Sequence, residues 1–179
     1  LTFQGGARAA AMAQAQAGLA DDSAAIYFNT AGLGLFKRQE LSLTHMDLGE
    51  GVRHQSLAYA RPLRGEGGAW GAYVDYLNVT DIHGYAPDGS RTGNVKANDM
   101  VLGAAYGRSL LPNLTAGVAV KWLRETLADE ADSAPAADAG LLYQVFPGTR
   151  GGLTLTHVGP SLNSGDPLPQ TLALGVSQN

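Results

Sequence analysis

The sequence predicts an all-β fold: an antiparallel transmembrane β-barrel with an N-terminal plug segment, incomplete within this chain. Three observations lead there. From Glu40 onward the chain is a series of about eight runs in which side chains alternate with the period of a strand. Short turns tend to alternate with long loops between those runs, as the two rims of a membrane barrel do. Charged residues make up only 16% of the 179, where a soluble domain carries about a quarter.

The elements follow in order. Residues 1–38 read as the plug segment and 39–179 as strands. Within 9–20, Ala13, Ala15, Ala17 and Leu19 alternate with Gln14, Gln16 and Gly18, which favours extended chain over helix. Asp21, Asp22 and Ser23 give a capping or turn signal. Residues 24–28 and 31–36 read as short helical turns, broken around Asn29 and Thr30. Strand runs are expected at 41–48, 52–63 and 69–79, then a long polar loop at 80–97. A fourth run covers 100–110 and turns at Leu111, Pro112 and Asn113 into a fifth from Leu114. An acidic, alanine-rich loop at 129–137 precedes a sixth at 138–146. The seventh spans 151–158, a loop 159–169, and the eighth 170–178.

Trp70, Tyr76, Tyr106, Trp122 and Tyr143 fall near strand ends, where an interfacial girdle sits. A soluble antiparallel sandwich shares the alternation. Its core, however, would be underfilled by the Gly- and Ala-rich faces seen here.

Composition excludes several functions. The net charge of −4 and pI near 5.4, with no Lys/Arg cluster, argue against a nucleic-acid partner. Cysteine is absent, which removes disulfides and thiolate chemistry. Mean hydropathy is −0.07, and no apolar run approaches the roughly 18 residues of a membrane helix, so any span must be β. No signal peptide is present, and Leu1 is expected to lie within a mature protein.

Candidate chemistry is sparse. His45, His54, His83 and His157 lack paired ligand spacing, so no metal and no cofactor are expected. Asp129, Glu130 and Asp132 lack the regular series of a calcium loop. No Gly-x-Ser-x-Gly elbow is present, and the protein is not expected to be an enzyme. Asn29 stands out as a residue able to hold a tight turn through its side chain. Arg61, Asp75, Lys121 and Arg124 are candidates to face the lumen, where polar side chains need no further explanation.

The barrel reads as unfinished. An interior enclosed by about eight strands holds only its own side chains, with no room for a segment of nearly forty residues. The end at 175–179 also lacks the terminal aromatic of a final outer-membrane strand. The first part of a larger barrel is therefore expected.

An ordered set of motifs then carries a resemblance. Gly6-Ala7-Arg8-Ala9-Ala10-Ala11-Met12, Ala20-Asp21-Asp22-Ser23-Ala24-Ala25-Ile26-Tyr27-Phe28-Asn29 and Ala31-Gly32-Leu33 resemble the opening of PorV/PorQ-type outer-membrane proteins. These are distant relatives of the FadL long-chain fatty-acid transporters. Ala105-Tyr106-Gly107-Arg108, Gly117-Val118-Ala119-Val120-Lys121, Asp138 to Tyr143, His157-Val158-Gly159-Pro160, Leu168-Pro169 and Leu174-Gly175-Val176 continue the series. The resemblance implies a barrel of roughly fourteen strands, within the range of such proteins. It also implies a plug and turn motif on Gly6, Arg8, Asp21, Asp22, Asn29, Ala31, Gly32 and Leu33. The family's Asn-Pro-Ala is here Asn29-Thr30-Ala31, without proline's fixed φ, and its Met-Gly-Gly is Met12-Ala13-Gln14.

Two functions follow from the resemblance, both in the bacterial outer membrane with its lipid as surroundings. One is a docking or scaffold subunit of a cell-surface secretion or assembly system, partnered by other protein subunits. The other is a plugged channel for hydrophobic or amphipathic small molecules. The match to the PorV branch is the closer, which favours docking. A third reading is a structural half-barrel needing partner strands on both edges.

Overall fold

A computed structural model describes residues 6–65, 67–128 and 130–178. Two short helices and a 3₁₀ turn come first: α1, Ala7–Ala11; α2, Ala25–Phe28; and the turn Thr30–Leu35. Eight strands follow: β1, Glu40–Asp47; β2, Val52–Pro62; β3, Ala69–Tyr85; β4, Arg91–Leu111; β5, Leu114–Leu127; β6, Glu130–Phe146; β7, Thr149–Val158; and β8, Thr171–Gln178. They form one antiparallel meander in which each strand pairs with the next, and β1 and β8 are its edges. The all-β antiparallel fold is as the alternation requires; the sheet is not closed into a barrel.

Three local expectations are corrected. Residues 9–20 do not form a strand: they make α1 and a chain of turns, with positive φ at Ala13, Gln14 and Ala20. Alternating Ala and Gln carry no large apolar side chain to commit either face, so local turns satisfy the backbone instead, as Gln14 N to Ala9 O at 2.8 Å does. The stretch 80–97 is not an open loop: it is the far end of a β3–β4 hairpin, tied by Ala86 N to Ser90 O at 2.8 Å around Pro87, Asp88 and Gly89. Nor is 130–137 a loop; it begins β6, and Asp129 lies outside the described residues. The last β6–β7 pair is Ala137–Val158, so Pro135 stands where β6 is paired on one side only and a missing N–H is tolerated.

The two faces of the sheet differ in exposure and in side-chain size. One presents rows such as Leu43, Leu57, Val74, Leu102 and Trp122, adjacent through the strand register. On it Leu43 is 78% exposed and Leu174 79%. On β5 that face is apolar from Leu114 to Trp122 before Arg124, about 30 Å of chain at ~3.3 Å per residue. The other face carries Ala58, Ala60, Ala105 and Ala119, buried beneath Ile26, Phe28 and Leu33 of the N-terminal segment.

Candidate functional site: the covered face

A run of glycines prepares this face for a backbone. Gly107 on β4 pairs with Gly117 on β5, and Gly117 with Gly140 on β6. Gly152 on β7 pairs with Gly175 on β8. A Cβ at Gly117 would strike the Thr30 carbonyl, at Gly140 the Asn29 side-chain oxygen, and at Gly152 the Ala17 carbonyl. Main chain at 17–18 and 29–31 therefore lies directly on the sheet, an approach that only glycine permits.

Asn29 ties the two pieces together. Its side chain is buried, with Nδ2 donating to Ala17 O at 2.7 Å and to Leu141 O at 3.1 Å. Its Oδ1 accepts from Ala31 N at 3.1 Å, capping the 3₁₀ turn. One residue thus joins the entering segment, its own turn and β6. Gly6 begins α1 at φ 141, a value that suits glycine. Arg8 Nη1 reaches Asp21 at 2.6 Å and Asp22 at 2.5 Å, closing the loop between them. Donating to Asp21, and then to Asp22, raises the Arg8 pKa above its ordinary value. Ala31 and Leu33 are fully buried, and a Cβ on Gly32 would strike the Ala20 carbonyl. All eight residues that the resemblance singled out thus lie in one folded segment on one face.

Beside this segment lies a buried polar layer. Lys121 Nζ is 2.8 Å from Asp138 Oδ2, and Asp138 Oδ1 accepts His157 N at 2.7 Å. His54 Nε2 stands 3.2 Å from Asp75 Oδ1. The rings of Tyr27 and Tyr73 meet edge to face at 4.7 Å. A register shift in the β6–β7 pairing, with His157 at φ 60, leaves Thr156 and His157 both buried. Charges kept dry in this way are expensive unless paired and further hydrogen-bonded, and Asp138 has both kinds of partner.

Of the four lumen candidates, Asp75 and Lys121 are on this face. Arg61 and Arg124 are not: both are exposed on the opposite face, Arg61 opposite Trp70 and Arg124 opposite Met100. The reason is parity, since positions 121 and 124 differ by an odd number and cannot share a face of a regular strand. Among the histidines, His45 is exposed on β1 and His83 bonds Asn94 and Arg91 in the hairpin. Among the described residues, no group of three or more His, Asp or Glu is placed to hold a metal.

The loop 159–170 also folds onto the covered face. Leu162 and Leu168 pack on Leu123, Ala134 and Ala136. Asp132 secures it, Oδ1 accepting Asn163 N at 2.8 Å and Oδ2 accepting Ser164 N at 2.7 Å. Two consecutive backbone amides thus share one carboxylate. A cavity of about 190 Å³ remains between the N-terminal segment and β7–β8, lined by Ala17, Tyr27, Thr154, Thr156, His157 and Thr171 among others.

Sequence reasoning missed Asp138, the glycine run and the role of Asp132. Glycines of one parity on successive strands were the available signal for the second. Asp138 was hidden at the edge of a stretch read as a loop. No family model matches this chain, and no curated protein matches it.

Proposed function

We propose that the protein is part of an outer-membrane β-barrel, acting as a docking or scaffold subunit of a cell-surface secretion or assembly system. The observation that carries the membrane reading is the inverted sheet. Most of its exposed large side chains are apolar, whereas Lys121, Asp138, Asp75 and His54 are covered, which suits a lipid surround and would be unfavourable in water. The apolar stretch of β5, tilted as barrel strands are, spans about the 25 Å of such a belt. At 17 and 21 residues, β3 and β4 outrun the roughly 9–11 that cross a bilayer. Their hairpin supplies a projecting polar surface on which a partner docks. The N-terminal segment, its main chain seated on glycine, closes the inner face as a fixed support.

The transport reading keeps one observation in its favour: the cavity that touches Ala17 and Tyr27. Purification from detergent-extracted membranes separates the two. Docking predicts a stoichiometric protein partner, lost when residues 86–90 are replaced by a Gly-Ser turn. Stoichiometric bound lipid or fatty acid without a partner overturns docking in favour of transport. Recovery in the soluble fraction overturns the membrane reading itself.

A further inference from the structure

The loop 159–170 seats next to a buried pair of charges, held to the sheet by two leucines and one carboxylate. Leu162 and Leu168 seat on the residues that flank Lys121: Leu123, two along β5, and Ala136, its cross-strand partner. Gly159 allows the chain to turn in, since a Cβ there would strike the Pro135 carbonyl. Beyond these leucines, the Asp132 carboxylate grips two consecutive backbone amides, Asn163 N and Ser164 N. That carboxylate is at the solvent-exposed end of β6, so its bonds compete with water. The N-terminal segment, by contrast, is held by glycine contacts and by a buried asparagine.

We propose that the loop 159–170 is a lid hinged on β7 and β8 and latched by Asp132, which opens to bring solvent to the Lys121–Asp138 pair while the N-terminal segment stays in place. The covered face then has one permanent closure and one movable one. Opening rehydrates the ion pair, which offsets part of the lost leucine burial. It breaks two charge-assisted bonds and no strand pairing. Local openings of this kind need only a fraction of the global unfolding free energy.

The chain has no cysteine, so single introduced thiols report on each closure. Ala136→Cys lies under the lid, Ala58→Cys under the N-terminal segment, and Ser90→Cys on the open hairpin. The probe is a membrane-impermeant maleimide on the protein in its membrane. Ala136→Cys should react far more slowly than Ser90→Cys. Adding Asp132→Ala, which removes both bonds to the carboxylate, should speed it by about tenfold or more and leave Ala58→Cys unchanged. Leu162→Ser in place of Asp132→Ala should act in the same sense. The lid is overturned if Ala136→Cys reacts as fast as Ser90→Cys, if Asp132→Ala leaves its rate unchanged, or if both buried thiols speed up together. Should the protein prove soluble, the membrane reading fails, but the same three rates still decide the lid.

Discussion

The two faces of the sheet are built from the same strands and obey opposite rules. On the outer face Leu43, Val118, Val120, Leu172 and Leu174 stand exposed, with Trp70 and Trp122 among them. On the covered face the strands present Gly, Ala and Thr together with Lys121, Asp138, Asp75 and His54. A water-soluble protein places its large apolar groups inside because burial there removes them from water. Here size and polarity run the other way. The contrast is the one an apolar surround of the outer face would call for, and the covered face is shaped to receive backbone as well as side chains.

The largest test of that contrast is inside. Lys121→Met leaves the Asp138 carboxylate buried without its cation and should destabilise the protein by about 3–5 kcal/mol. Lys121→Met with Asp138→Leu should recover most of the loss. Denaturant titration in detergent measures both, and an unchanged midpoint for the single variant would mean the pair is hydrated.

The complementary change adds a charge outside. Val118→Arg should cost about 2–4 kcal/mol in a bilayer, as a cation does near the midplane of a barrel's lipid face. In a soluble sheet the same exposed position would tolerate arginine. Urea titration in lipid vesicles distinguishes the two, and a neutral result breaks the membrane reading of this face.

Gly117→Val sharpens what the glycine run does. It forces main chain at Thr30 away from β5, an overpacking worth about 1–3 kcal/mol. Limited proteolysis should then cut within the N-terminal segment while the strands stay protected. Protection at 9–36 equal to that of the unaltered protein would show that the contact can relax.

The smallest effect is expected at Arg8. It is partly exposed, and such ion pairs contribute about 0.2–1 kcal/mol. Arg8→Ala should shift the denaturation midpoint slightly and raise proteolysis between Ala11 and Asp21, leaving the Asn29 anchor in place.

Legibility followed residue size. Where strands alternated large with small side chains, as in β5 from Leu114 to Trp122, the period could be read directly. The turns at 24–28 and 31–36 were equally clear, because Asn29 and the glycines punctuate them. At 9–20 small side chains left the period without meaning. In 80–97 only Ile82, Tyr85 and Val95 are large and apolar, too few to mark a hydrophobic alternation. At 130–137, Pro135 and the acidic residues imitated a loop, although pairing with β5 alone was enough to extend the ladder.

By itself the sequence determined the all-β class and the antiparallel order of the strands, since these rest on period two within each run and on the turns between runs; which face is covered needed the fold, because Ala and Gly suit either side. Only the tertiary structure decided register. The bulge between Ser109 and Leu111 sets Gly107 opposite Gly117, and the register shift near His157 aims its backbone at Asp138. One-residue slips of this kind exchange the faces of a strand. They depend on contacts between distant segments, which local patterns do not encode.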